Sequence, residues 1–522
     1  MKLILDKKYL KIPTNSFATI KKICLYRDGE LILDLDCKLD LINPDFIAYV
    51  DVSRFAGAEV EYKSIPEIDF RLECVDEREY DNLYAEEFRP FVHFTPASGW
   101  MNDPNGLIKY RGTYHMFFQH NPCGTEWGNM HWGHAKSRDL LHWEELDIAL
   151  SPDELGTMYS GSAIEDTRNL TGLKSGEENP VLLYYTAAGD RTLLAKNRER
   201  TQCLAYSLDG GKTFEKYDKN PVLGHIESYN RDPKIVFVPE ISKHLMVLYL
   251  VDDRYALLTS DNLCDWEMMQ EISLKNDAEC PDIYNFTQGQ TSRWVIIGAS
   301  DTYITGVFEK GKFVRKSTEK RLSYTESSSS YAGQSFSGLD DGRTVRLVWD
   351  QLRMPSARVP HQMGFPTEMN LVPHNGDVYL TANPIREIEN LYVSTVSEKN
   401  FELGAAEKSF PLERAAYDIF FEAEFKNQIT LRLFGLELQI KPAENSIVRG
   451  KHKIPISLDL DSVKLRIIVD RCSVELFADD GKFIATIPFW CDYNLPDITL
   501  SSPQGTKVSE ITINRLKSVH ST

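Results

Sequence analysis

Three acids in this chain sit in contexts that ordinary surface acids lack. Asp103 lies in Trp100-Met101-Asn102-Asp103-Pro104-Asn105-Gly106, Asp232 in Arg231-Asp232-Pro233, and Glu279 in Asp277-Ala278-Glu279-Cys280-Pro281-Asp282. Pro104 biases Asp103 away from helix and Gly106 frees the end of what reads as a turn, a geometry that can aim a carboxylate. Arg231 is placed to hold Asp232 ionised through a bidentate pair. Burial of Glu279 beside Tyr284 and Phe286, with the charge of a neighbouring Asp, would raise its pKa as a general acid requires. One acid to attack or to activate water and another to protonate a leaving oxygen are what glycosidic cleavage needs. Taken one at a time, an Asx turn, a structural Arg–Asp pair and a solvated acidic turn account for these segments equally well.

The surroundings favour the chemical reading. Trp100 and Asn102 offer an aromatic wall and an amide beside Asp103. The stretch from Tyr114 to Trp143 is the most aromatic- and histidine-dense part of the chain, with Phe117, Phe118, Gln119, His120, Trp127, His131, Trp132 and His134, and it reads as a sugar-contacting shelf. His131-x-x-His134 is not a metal spacing such as H-E-x-x-H, and structural histidines are favoured. There is no serine nucleophile elbow, phosphate loop or dinucleotide fingerprint.

Positioning such groups falls to strands. Runs such as VLLYYTA (181–187), HLMVLYLV (244–251) and WVIIGAS (294–300) are short and rich in β-branched and aromatic residues, and amphipathic helix periodicity is scarce. Ser137-Arg138-Asp139-Leu140-Leu141-His142-Trp143, Ser207-Leu208-Asp209-Gly210-Gly211-Lys212-Thr213-Phe214 and Ser260-Asp261-Asn262-Leu263-Cys264-Asp265-Trp266 share one plan of Ser, acidic turn and aromatic. Such recurrence suits a propeller of few blades over roughly residues 90 to 375. Strands around Arg27-Asp28-Gly29-Glu30 form a small N-terminal sandwich, the acidic stretch from Cys74 to Glu87 reads as a linker, and alternating strands after about 380 form a second sandwich with a hairpin turn at Asp479-Asp480-Gly481.

The bulk properties agree with a folded globular protein. The 522 residues are 42% hydrophobic and 26% charged. A net charge of −18 argues against a nucleic-acid or anionic-membrane partner. The nine cysteines are scattered without a C-x-x-C pair, as reduced thiols would be. Charged residues interrupt the N-terminal apolar residues, so no signal-peptide stretch forms and a cytoplasmic location is expected.

In HFTPASGWMNDPNGL (93–107), FFQHNP (117–122), WGNMHWGHAKSRDLLHWEE (127–145), YSGSA (159–163), NRDPK (230–234), ECPD (279–282), YAGQSF (331–336) and DRCSVELFADDG (470–481), in that order, the chain resembles glycoside hydrolase family 32, the invertase, inulinase and levanase family. The resemblance implies an all-β fold, with a five-bladed β-propeller (86–375) followed by a C-terminal β-sandwich (376–522); the N-terminal β-sandwich (1–85), read from its strands alone, is an addition to that plan. It also implies Asp103 as nucleophile, Glu279 as general acid/base and Asp232 as the acid that holds sugar hydroxyls. Asn102, Gln119, Trp127, Tyr159, Ser160 and Arg231 would shape the fructose subsite, with Tyr159 standing where Phe is frequent. Retaining, exo-acting cleavage of inulin- or levan-type fructo-oligosaccharides, and of sucrose, is the expected activity. It requires no metal or other cofactor, and its carboxyl groups should lie about 5 Å apart. The expected partners are small fructose-containing oligosaccharides, on a monomer or homodimer. A fructosyltransferase of the same family, an inverting arabinosidase or xylosidase and a non-catalytic carbohydrate-binding propeller are the rivals. The N-terminal sandwich is expected to be structural rather than sugar-binding.

Overall fold

Strand and turn chemistry with almost no helical periodicity yields a chain of antiparallel sheets. The computed structural model describes residues 1–520 other than 228, 289–290, 326–328, 356–357, 459–460 and 496 and the side chains of 288 and 291. The helices among the described residues are short 3-10 turns, and none is long and apolar enough to cross a membrane.

Five sheets follow one another through the middle of the chain. Blade 1 is Trp100–Tyr110, Thr113–Asn121, His131–Ser137 and Trp143–Glu145; blade 2 is Thr157–Glu165, Val181–Ala188, Arg200–Ser207 and Glu215–Lys216. Blade 3 is Arg231–Val238, Lys243–Val251, Arg254–Ser260 and Glu267–Ser273. Blade 4 is Asp282–Gln288, Thr291–Ile297, Thr302–Glu309 and Lys312–Arg315, and blade 5 is Ser330–Ser335, Thr344–Asp350, Thr367–His374 and Asp377–Pro384. The first strand of each blade touches the first strand of the next, and Ser330–Ser335 returns to Trp100–Tyr110, so the ring closes. The outer strand of blade 5 runs past the boundary expected at residue 375 because the turn Asn375-Gly376, with both residues at positive φ, folds it back on Thr367–His374 and the pairing continues to Pro384.

The three Ser-acid-aromatic segments are the turns between the third and fourth strands of blades 1, 2 and 3. In each the serine hydroxyl accepts a backbone N–H of its own turn, from Leu140 at 3.0 Å, Gly211 at 2.9 Å and Leu263 at 2.8 Å. A blade is covered on both faces by its neighbours, so its second strand is buried on both sides rather than on alternate residues. Val181–Ala188 is buried at every position. The same packing buries Phe117, Phe118 and Trp132 between blades and narrows the sugar shelf expected over residues 114–143 to Gln119 and Trp127. His134 stacks on Phe117 and shares a hydrogen bond with His115, and His131 bonds the Asn129 carbonyl, so the two histidines of His131-x-x-His134 have separate structural partners.

Two six-stranded sheets, one starting at Tyr392–Leu403 and one at Lys408–Pro411, enclose the C-terminal core. A buried charge cluster joins this sandwich to the propeller. Asp470 accepts the backbone N–H groups of Phe91 and Val92, Glu475 accepts that of Phe365, and His93 lies between them, 2.8 Å from Asp470 and 3.4 Å from Glu475. Burial alone would lower the His93 pKa, but the charge of Glu475 and the bonds to both acids push it up to about 10.

The N-terminal sheets, of four and three strands, close over Leu10, Leu25, Leu35 and Val60. Asp28 and Gly29 both take positive φ, as a two-residue hairpin demands. The supposed linker is not a free tether. Cys74 belongs to strand Glu73–Val75, Arg78 pairs with Glu145 of blade 1, and Tyr84 stacks on His520 at 4.4 Å.

Candidate active site

Bulges at the start of the inner strands aim the site residues. Antiparallel register skips between Met101 and Pro104 in blade 1, Met158 and Gly161 in blade 2, Arg231 and Lys234 in blade 3, and Tyr331 and Gln334 in blade 5. Each skip releases two residues from the ladder, and a bulge of this kind re-aims side chains. The released residues include Asn102 and Asp103, Tyr159 and Ser160, and Asp232. The Asn-Asp-Pro-Asn-Gly segment is therefore part of a doubly bulged strand rather than a turn, with Gly106 at φ +54° in its second skip. A Cβ at Gly106 would come within 2.7 Å of Phe117. Blade 4 uses another device: Glu279 and Cys280, just before strand Asp282–Gln288, take φ of 58° and 32°, and Asp232 takes 65°. Non-glycine residues in this region store strain of roughly 1–3 kcal/mol each, which the surrounding structure must sustain.

Just beyond the acids, the inner strands are tied together by buried polar groups. Lys234 pairs with Asp282 at 2.9 Å and donates to the Ser335 carbonyl at 2.8 Å, joining blades 3, 4 and 5. Ser162 of blade 2 donates to the Pro233 carbonyl, and Gln334 of blade 5 bridges Gly161 and Leu107. These ties fix the relative heights of the bulges.

All nine residues expected at the site line one cavity of about 420 Å³. Asp103 is at its floor, accepting the Ser160 hydroxyl at 2.6 Å. The Cys280 thiol lies 3.3 Å from Asp103 Oδ2 and 3.5 Å from Asp232 Oδ2, so two acids from different blades flank one sulfur. Asp232 also accepts the Cys280 backbone N–H at 3.1 Å. Asn102 is oriented by the Trp100 indole N–H at 2.7 Å, and Gln119 by its bond to the Met158 carbonyl at 2.7 Å. Trp127 meets Tyr159 edge-on at 5.9 Å.

Arg231 and Glu279 depart from expectation. Instead of a bidentate Arg231–Asp232 pair, the guanidinium divides between acids, with Nε 3.5 Å from Asp232 and Nη2 bonded to Glu279. Glu279 is not packed against Tyr284 and Phe286, which belong to the core. About a third of its side chain stays exposed to the pocket, at 35%, and its second oxygen accepts the Tyr331 hydroxyl at 3.0 Å. Cys280, Tyr331, Trp349, Arg191, Arg200 and Tyr229 complete the lining without having been singled out. Cys280 and Tyr331 at least lie in the ECPD and YAGQSF segments.

Burial raises the pKa of Asp103, assisted by the charge of Glu279 and opposed by bonds from Ser160 and Asn102. Asp232 is pushed up to about 7: burial dominates, Arg231 opposes it, and the charges of Glu279 and Asp103 add to it. Arg231 thus fails to hold Asp232 in the usual carboxylate range. The folded state keeps this proton up to about pH 7, whereas an unfolded chain releases it near 4. Stability therefore falls as pH rises through that window. Asp232→Asn removes this loss, and Asn tolerates the positive φ. The variant is expected to melt a few degrees above the parent at pH 8 and level with it at pH 4, with activity reduced throughout. A variant that melts lower at pH 8 would show that Asp232 is not held under electrostatic strain.

The sequence comparisons follow this architecture. The family description "Glycosyl hydrolases family 32 N-terminal domain" matches residues 93–382, and "Glycosyl hydrolases family 32 C terminal" matches 387–515. A levanase of Bacillus subtilis (strain 168) is 32% identical over 503 residues, spanning 84% of this chain and 72% of that protein. An extracellular exo-inulinase of Aspergillus niger is 29% identical, spanning 76% of this chain and 89% of its own. The crystal structure of exo-inulinase from Aspergillus awamori superposes with a TM-score of 0.74 at 26% identity, over 84% of this chain and all of that one. With both halves of the family pattern matched across propeller and sandwich, the chain belongs to glycosyl hydrolases family 32.

Proposed function

We propose that this protein is a retaining, exo-acting β-fructosidase that removes terminal β-D-fructofuranosyl units from inulin- or levan-type fructo-oligosaccharides and from sucrose. The observation that carries the reading is the meeting of Asp103, Asp232 and Glu279, from three blades, in one pocket around Cys280. Glu279 protonates the glycosidic oxygen while Asp103 attacks the anomeric C2, forming a fructosyl-enzyme. Water, deprotonated by the now ionised Glu279, then releases β-fructose with retention. Asp232, between Arg231 and the Cys280 N–H, holds fructose hydroxyls and, in its ionised form, steadies the developing positive charge at C2. Tyr331 and Arg231 orient the Glu279 carboxyl between the two steps. None of these steps calls on a metal or organic cofactor.

Product analysis on sucrose and kestose tests the reading. Fructose is expected as the first monosaccharide released from kestose, together with sucrose, and glucose follows only as that sucrose is cleaved in turn. Longer chains from moderate sucrose would indicate a transferase, and binding without turnover would indicate a carbohydrate-binding propeller.

A further inference from the structure

The outer wall of the pocket is held by the N-terminal sandwich, which lies outside both family matches. Trp127 and Arg191 sit on two loops that the edge strand Glu30–Cys37 grips. Asp34, itself buried, accepts the backbone N–H groups of Leu193 at 2.9 Å and Leu194 at 3.1 Å, two residues on from Arg191. On the other loop, the Asn129 amide exchanges bonds with the backbone N–H and carbonyl of Asp36 at 2.8 and 2.7 Å, and Lys38 pairs with Glu126 at 2.6 Å. Arg191 lies 5.6 Å over the Trp127 ring.

Beyond these two residues a second cavity opens, of about 290 Å³, and Trp127 and Arg191 belong to the linings of both. Its far side comes from the N-terminal sandwich: Ile20, Asp36 and Lys38. Ile20 is 55% exposed and Trp127 48%, so two apolar surfaces stand open in a cleft whose lining also offers the amides of Asn121 and Asn129 and the hydroxyls of Thr125 and Thr157. Of the charges there, Lys38 is paired with Glu126 and Asp36 with Lys22 at 2.8 Å, and the lining adds one further acid, Asp190, and one base, Arg191. Apolar platforms among donors and acceptors with no excess of either charge suit an uncharged polyhydroxylated ligand.

We propose that the N-terminal sandwich completes an extended substrate groove, in which sugar units beyond the scissile bond pass Trp127 and Arg191 and rest against Ile20, Asp36 and Lys38. This deepens the fructosidase reading and rests on it for the identity of the sugar. The sandwich is then a chain-length selector rather than the purely structural element expected from the sequence.

The test uses the full chain with sucrose and fructosylnystose as probes, comparing their kcat/KM ratio in the parent, in Ile20→Trp, which fills the cleft from an exposed position, and in Lys38→Ala. The fructosylnystose-to-sucrose ratio is expected to fall threefold or more in both variants. A smaller fall in either overturns the groove. Should the parent cleave neither sugar, the fructosidase reading fails, and the groove is then judged on binding alone: fructosylnystose binding weakened threefold or more by Ile20→Trp supports it, and a smaller effect overturns it.

Discussion

Asp103→Asn is expected to lower kcat for fructose release by at least ~10⁴-fold, about 5 kcal/mol of transition-state stabilisation, because the fructosyl-enzyme can no longer form. The pocket should survive the change. Asn is isosteric, its amide oxygen still accepts the Ser160 hydroxyl, and the raised pKa of Asp103 shows that its charge is a burden on the folded state. A melting temperature at or above that of the parent, with kcat collapsed, separates lost chemistry from lost fold. Near-parental turnover would remove Asp103 from the nucleophile's role.

The second large effect concerns the proton. Glu279→Gln is expected to slow cleavage of oligosaccharides by about 10²–10⁴-fold, the usual worth of a positioned general acid or base. A fructoside whose leaving group departs without protonation, such as a nitrophenolate, should lose far less in the first step. The variant then stalls as the fructosyl-enzyme, since no carboxylate remains to activate water. Azide, which needs no deprotonation, should restore turnover and yield fructosyl azide. Arg231 and Tyr331 each donate to one oxygen of Glu279, and a Gln amide satisfies only one of them, so a modest loss of order around the side chain accompanies the chemical one. Equal loss on both substrates, with no response to azide, would place the proton transfer elsewhere.

How much of this was legible in the sequence follows from how each residue reaches the pocket. Asp103 and Asp232 precede prolines and Glu279 precedes Cys280-Pro281, a local signature of irregular backbone that a single chain displays. The bulges themselves were not legible, since a register skip is a relation between two strands. Arg191, Arg200 and Tyr229 come from segments near the pocket rim whose course depends on packing; Arg191's loop, for one, is set by a buried aspartate about 160 positions away in sequence. Whether the aromatic run at 114–143 faces sugar or core is not legible for a related reason. Composition marks these residues as large and apolar, but only the closed ring shows that blade faces are buried, leaving Gln119 and Trp127 alone of that group in the cavity. The repeat was visible in blades 1 to 3, where a serine ends the third strand; blade 4 closes instead with the turn Lys310-Gly311, which carries no such mark.

The stereochemistry of the product most directly tests the proposed double displacement through a covalent intermediate on Asp103. With methanol competing against water, the methyl fructofuranoside formed from kestose can be read by NMR before and free of mutarotation. Two successive inversions at C2 predict the β-methyl fructofuranoside. The α-anomer would show a single displacement by an activated nucleophile from solvent and would contradict the account.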